Sequence, residues 1–288
     1  KVELSLKVPG NNAVNYKLHP DKLENSYFDY EWRSDNKLPI TVFHKVEERD
    51  SCMRLTVQLT AAQDVYFNYR QLLSTGYRHD NCQFYMPGFW YRRNLRSPKK
   101  APSFHTSDSW LVREDRLSAP LTGIFSEKEK RFMTVNRLDD FSMDALATHK
   151  EGEIILSGKT SLGFTGFENQ QGIAMLSFGF PYREAPKSYI RKLTLAPEVE
   201  AFQLMKKGES VLLTWEIMES GADDFSDFIQ HTWEHCYDTY APKPVENSYS
   251  IADMKQVLSC FFVNSLVDNQ PLVYNSGIHL KVSDCERN

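Results

Sequence analysis

The sequence predicts a mainly β protein, in which a large antiparallel β-sandwich is followed by a linker helix and the start of an α-helical domain. Three observations predict it. Short runs alternate apolar and polar residues with the two-residue period of a half-buried strand. Turn residues such as Glu151-Gly152 and Lys207-Gly208 separate many of these runs, and helical periodicity begins only after Gly221.

The first strand is the plainest. Val2, Leu4, Leu6 and Val8 alternate with Lys1, Glu3, Ser5 and Lys7, and Pro9-Gly10 ends the run. Further strands are expected at 27–32, 40–46, 54–60, 65–69, 131–137, 153–157, 174–180, 189–195, 201–205 and 210–217. In 54–60, Leu55, Val57 and Leu59 share one face, and Arg54, Thr56, Gln58 and Thr60 share the other. Many short strands with few helices between them argue a sandwich and against a doubly wound sheet. Gly163-Phe164-Thr165-Gly166 is read as a turn, and Asp139-Asp140 as a solvated hairpin.

Beyond Gly221 the period changes. Phe225, Phe228, Ile229, Trp233, Cys236 and Tyr240 fall on one face of a helix spanning about 223–240. Asp223, Asp224 and Asp227 crowd its first turns, where carboxylates suit the helix dipole. Pro242 and Pro244 break the chain, and a second helix starts near Ser250 with Asp253 as a capping partner. Ile251, Met254, Val257, Leu258, Phe261 and Leu266 form its apolar stripe. The expected divisions are therefore 1–221 for the sandwich, 222–245 for the linker helix, and 246–288 for the beginning of a helical domain. The stripe reads as surface to be covered by further helices, so the chain is expected to be part of a longer protein. Lys1 opens the chain in place of Met, which predicts a removed leader or a trimmed start.

Composition excludes several classes. With 41% hydrophobic and 25% charged residues the chain is globular rather than disordered. Net charge −4 and a pI of about 6.1 give no general attraction for nucleic acid or acidic membranes. No run of about 18 apolar residues can span a bilayer. The five cysteines, Cys52, Cys82, Cys236, Cys260 and Cys285, are odd in number and lack Cys-x-x-Cys spacing, so free thiols are expected.

Phe84-Tyr85-Met86-Pro87-Gly88-Phe89-Trp90-Tyr91-Arg92-Arg93-Asn94-Leu95-Arg96 is the most unusual stretch, with five aromatics and three arginines. Pro87-Gly88 interrupts regular structure there. Aromatic faces stack on the C–H faces of sugar rings, and arginine supplies forked donors to hydroxyls or uronate carboxylates. Asp108, Trp110 and Arg113 follow closely. Trp90, Tyr91, Arg92, Arg93, Asp108, Trp110 and Arg113 are thus the candidate carbohydrate-binding residues. The same composition suits a core or a domain interface, where arginine packs on aromatic rings.

His231-Thr232-Trp233-Glu234-His235 matches the inverted zinc-hydrolase pattern, two imidazoles one helical turn apart with a carboxylate beside them. Histidines off the apolar stripe of a surface helix look the same, so no metal and no cofactor is expected. His231, Glu234 and His235 are the only metal candidates. The adjacent acidic pairs, such as Glu47-Glu48 and Glu114-Asp115, do not mark a glycosidase, because neighbours on a strand point to opposite faces. Gly-x-Ser-x-Gly and phosphate-loop motifs are absent from the sequence.

The order of elements resembles the N-terminal part of two-domain polysaccharide-degrading enzymes. In these a galactose-mutarotase-like β-supersandwich precedes an (α/α) toroid. The 84–94 segment and Pro271-Leu272-Val273-Tyr274-Asn275-Ser276-Gly277-Ile278-His279-Leu280 look like the loop and the domain junction of such glycoside hydrolases from gut-type Bacteroidetes. The resemblance implies a secreted or periplasmic bacterial protein that binds a polysaccharide or oligosaccharide. It implies a sandwich that packs against a C-terminal helical domain, where the catalytic carboxylates usually lie, in a hydrolase or a polysaccharide lyase. It carries over no catalytic residue. A free-standing carbohydrate-binding module is the alternative, and a zinc hydrolase built on the His-x-x-Glu-His helix is a third reading.

Overall fold

The computed structural model describes residues 1–22, 29–34, 37–94, 102–139, 151–191, 194–243 and 249–264. In chain order the strands are β1 (Val2–Lys7), β2 (Val14–Lys22), β3 (Asp29–Arg33), β4 (Ile40–Glu48), β5 (Met53–Ala61), β6 (Val65–Arg78), β7 (Cys82–Met86), β8 (Trp90–Arg92), β9 (Ser109–Arg113) and β10 (Leu121–Ser126). They continue with β11 (Arg131–Arg137), β12 (Gly152–Ile155), β13 (Phe164–Gln170), β14 (Ile173–Phe180), β15 (Arg183–Glu184), β16 (Ser188–Arg191), β17 (Thr194–Ala196), β18 (Val199–Met205) and β19 (Ser210–Gly221). Two helices follow, α1 (Phe225–Tyr240) and α2 (Ile251–Asn264). The protein is mainly β and almost wholly antiparallel, as the alternation predicts. The chain divides into two compact units, Lys1–Tyr240 and Ala241–Asn288.

In the first unit the strands form two layers. One layer runs β2-β1-β6-β14-β13-β9. The other runs β2-β3-β4-β5-β19-β11-β10-β7-β8. Strand β2 serves both: Val14–Leu18 pair with β1, and His19–Lys22 pair with β3. Each half of β2 lies at the edge of its layer, where Pro20 removes no needed ladder bond. β18 pairs with the start of β6 and carries β12 and β15 on its other residues.

The inward faces of both layers share one core. Val2, Leu4, Phe67, Tyr69, Leu176 and Phe178 of one layer meet Val57, Leu59, Met133, Val135, Leu213 and Trp215 of the other. The Trp215 ring lies 5.1 Å from Phe178 and 6.2 Å from Tyr69, across the two layers. Burying each such side chain stabilises the fold by about 1.5–3 kcal/mol.

Helix α1 belongs to the first unit. It covers the outer face of the second layer, where Phe225, Phe228 and Cys236 pack with Tyr85, Leu121, Phe125, Phe132 and Met218. Phe228 stacks on Phe125 at 6.0 Å and lies 5.0 Å from Phe132. Gly123 makes this possible: a Cβ there would come within 2.6 Å of the Phe228 ring. Asp224 caps the helix, accepting the backbone N–H groups of Ser226 (2.7 Å) and Asp227 (2.9 Å). In the second unit, Ser250 and Asp253 cap α2 reciprocally, as the sequence predicts: the Asp253 N–H donates to Ser250 Oγ at 3.1 Å, and the Ser250 N–H donates to Asp253 Oδ2 at 3.0 Å.

Two local expectations change. Phe164-Thr165-Gly166 open β13 rather than forming a turn, and position 166 takes glycine because a Cβ would come 1.9 Å from the Trp110 carbonyl oxygen. Asp139 is tied into the protein, accepting Arg137 Nε at 3.0 Å and the Thr214 N–H at 3.0 Å. Asp140 lies outside the described residues, as do Leu95, Arg96, Leu266, Cys285 and the 271–280 segment.

Candidate functional site

The aromatic and arginine segment folds as a hairpin. β7 and β8 pair from Phe84↔Arg92 to Met86↔Trp90 around Pro87, Gly88 and Phe89. Gly88 takes φ +80°, a left-handed conformation that glycine adopts without strain. Alternation along β8 then divides the candidates. Trp90 points into the core with none of its surface exposed, whereas Tyr91 is 54% exposed.

Trp90 is ringed by Phe167 at 5.0 Å, Phe104 at 5.1 Å and Trp110 at 5.7 Å. Trp110 is likewise buried, its Nε1 donating to the carbonyls of Ser103 and Ser107 at 3.1 Å each. Neither indole has a face left for a sugar ring, so their expected stacking role is corrected to core packing. Arg113 is also interior. It makes a forked pair with Asp115, at 2.9 and 2.7 Å, and lies over the Tyr182 ring at 5.3 Å. Its guanidinium donors serve the protein rather than a glycan.

The other four candidates reach solvent. Tyr91 keeps its hydroxyl as acceptor of the Gly88 N–H at 3.1 Å, and its ring lies 5.4 Å from Tyr85. Arg92 adopts φ +56°, a left-handed conformation costing on the order of 1 kcal/mol for a non-glycine residue. It is held from two directions: Trp90 Nε1 donates to its carbonyl at 3.0 Å, and its guanidinium lies 5.0 Å over the Phe225 ring of α1. Arg93 pairs with Glu127 at 3.2 Å and donates to the Asp80 carbonyl. Asp108 sits apart at the start of β9, where it accepts Asn169 Nδ2 at 3.3 Å.

Helix α1 adds a residue that the sequence did not assign to this region. Trp233 Nε1 donates to the Tyr85 hydroxyl at 2.8 Å, and 38% of Trp233 remains exposed. Tyr91, Tyr85 and Trp233 therefore form a linked aromatic edge across β7, β8 and α1. Spacing along the sequence could not reveal it, because |i−j| between Tyr85 and Trp233 is 148.

The His-x-x-Glu-His helix does not gather its three side chains. His231 faces Asp227 at 3.4 Å, and Glu234 accepts Gln230 Nε2 at 2.8 Å. His235 turns to the sheet and meets Glu216 at 3.1 Å. The zinc-hydrolase arrangement is thereby corrected. Among the described residues, the group whose ligand atoms lie within 4.8 Å of one another is Cys52, Glu216 and His235. Glu216 also accepts Arg54 Nη2 at 2.6 Å. Burial pushes the Glu216 carboxyl up, but the Arg54 hydrogen bond and charge, with His235, outweigh it and hold the group below the usual carboxylate range.

The four buried carboxylates among the described residues each face an arginine. Glu114 pairs with Arg137 at 2.6 Å, Glu216 with Arg54 at 2.6 Å, Glu184 with Arg116, and Glu168 with Arg70.

No family model matches the chain, and no curated protein matches it. Among solved structures the chain is similar to a polysaccharide lyase, at 13% identity and a TM-score of 0.39, over 81% of this chain and 27% of the lyase. It is also similar to a protein from Synechocystis, at 6% identity and a TM-score of 0.41, over 75% of this chain and 73% of that one. A galactose mutarotase-like protein from Lactobacillus casei is similar at 10% identity and a TM-score of 0.36, over 72% and 73%. The chain thus spans about a quarter of the lyase (27%). None of these likenesses bears on activity.

Proposed function

We propose that this chain is the sandwich domain of a secreted polysaccharide-degrading enzyme of glycoside-hydrolase type, and that its Tyr91–Arg92 edge contacts the glycan while catalysis resides elsewhere in the whole protein. The observation that carries the reading is the strained, doubly held Arg92 beside an exposed ring. Strain persists only where the surroundings over-determine it, and it concentrates at binding sites. Here it fixes Tyr91 outward with little conformational freedom left to lose on binding.

Tyr91 would stack on a sugar face, and Arg92 and Arg93 would donate to hydroxyls or uronate carboxylates. The seven residues read from the sequence thereby reduce to Tyr91, Arg92 and Arg93 as contacts, with Trp233 extending the platform. Among the described residues each buried carboxylate is neutralised by an arginine, which ties the strands together as a scaffold would require. Packing against a C-terminal helical domain, as the sequence resemblance implies, belongs to the same proposal.

The test is binding of a panel of neutral and uronic-acid oligosaccharides to the chain and to Tyr91→Ala and Tyr91→Phe. Binding lost in Tyr91→Ala and kept in Tyr91→Phe supports the reading. Equal affinity in all three rejects it.

A further inference from the structure

We propose that Cys52, Glu216 and His235 form a three-ligand site for a zinc-type divalent cation. The residues come from three elements far apart in sequence: the turn between β4 and β5, strand β19, and helix α1. The β5–β19 register sets Glu216 directly opposite Arg54, two residues beyond Cys52, and α1 lays His235 over the same spot. Their ligand atoms all lie within 4.8 Å of one another. Around a tetrahedral zinc with bonds of about 2.0–2.3 Å, ligand atoms sit roughly 3.3–3.8 Å apart. His235 Nε2 and Glu216 Oε2 are already 3.1 Å apart, and a Cys52 Sγ within 4.8 Å of the other two ligand atoms needs to close by about 1 Å to reach that range.

The surroundings suit ligation. Arg54 takes Glu216 Oε1 at 2.6 Å and leaves Oε2 turned to His235, the outer-sphere hydrogen bond that orients metal-binding carboxylates. Thr239 Oγ1 donates to the same Oε2 at 3.2 Å. Cys52 also lines a cleft of about 460 Å³ with Glu48, Arg49, Asp50, Met218 and Glu219 among others, which gives solvent a route to the thiol. The donor set of one thiolate, one imidazole and one carboxylate favours zinc over magnesium or calcium, which take oxygen ligands. Binding would release the Cys52 thiol proton and move the imidazole proton to Nδ1. Uptake is therefore expected to strengthen as pH rises.

The experiment uses the full chain, stripped with chelator and titrated with Zn²⁺ by calorimetry, and with Co²⁺ by absorption spectroscopy. One equivalent of zinc is expected, together with a near-ultraviolet band from cobalt bound to thiolate. Cys52→Ser should abolish that band and weaken zinc at least about tenfold, as His235→Asn should weaken it. Cys260→Ser, at an exposed position on α2, should change neither. Circular dichroism confirms folding, and His235→Asn decides the matter if Cys52→Ser does not fold. Failure of the wild type to bind zinc, or zinc affinity unchanged in both Cys52→Ser and His235→Asn, overturns the proposal.

Discussion

The indole N–H of Trp233 on α1 reaches 2.8 Å to the hydroxyl of Tyr85 on β7. It is the polar contact in an otherwise aromatic seam, where Tyr85 also meets Phe225 and Phe228 edge-on at 6.4 and 6.1 Å. Tyr85→Phe keeps the ring packing and removes the acceptor. It should cost about 0.5–1.5 kcal/mol, read as a shift of the urea midpoint without a change in slope. A variant as stable as the parent would mean that water replaces the bond at no cost.

Trp90 lies wholly within the core between Phe104, Phe167 and Trp110. Trp90→Ala should therefore cost about 3–5 kcal/mol of stability, seen as a large fall in Tm. Retained stability with weakened glycan binding would contradict the interior placement.

Arg137 and Glu114 are 3% and 1% exposed and 2.6 Å apart. Glu114 also accepts the Gly163 N–H at 2.8 Å, and Arg137 lies 5.3 Å over the Phe180 ring. Arg137→Met strands a buried carboxylate and should cost about 3–5 kcal/mol. Glu114→Gln combined with Arg137→Met should recover part of that loss, because the fully buried carboxylate is no longer charged, while Asp139 still lacks its Arg137 partner and keeps the recovery incomplete. Additive losses in a double-mutant cycle would show that the two side chains do not act as a pair.

His44 is buried on β4, with the Trp32 ring at 5.0 Å and Tyr69 Oη at 2.9 Å from Nε2. Tyr69 spends its own proton on Gln71, so Nε2 of the neutral imidazole is the donor. Burial drives the His44 pKa down to about 3. On acidification from about pH 6.5, the unfolded chain takes up a proton that the folded one refuses. Stability should thus fall between about pH 6.5 and pH 3, by on the order of 4–5 kcal/mol from this group. His44→Asn should flatten that part of the profile in urea melts recorded across the range; an unchanged slope would remove His44 as its source.

Much of the fold was legible in the sequence because burial on one face of a sheet writes itself as alternation. Val2 to Lys7, Ile40 to Glu48 and Met53 to Ala61 carry that pattern and are strands. The capping residues of α2 were equally plain, because a capping box is local. β7, β10 and β13 are buried on most of both faces, so no one-face alternation marks them, and the turn residues Pro87-Gly88, Gly123 and Gly166 in or beside them read as breaks. The site was only half legible. Composition pointed to Trp90 through Arg93, but a two-residue period decides which of them face out, and the register needed to set that phase comes from long-range pairing. The Cys52, Glu216 and His235 group lies beyond any spacing rule, since the β4–β5 turn, β19 and α1 converge only in three dimensions.

The most direct test of the proposed glycan contact is calorimetric titration of an oligosaccharide that the chain binds, repeated with Tyr91→Ala at matched Tm. Loss of one stacked ring is expected to weaken binding about tenfold, or roughly 1.4 kcal/mol, with the Tm unchanged. An affinity equal to that of the parent would show that the exposed Tyr91 edge is not where the sugar sits.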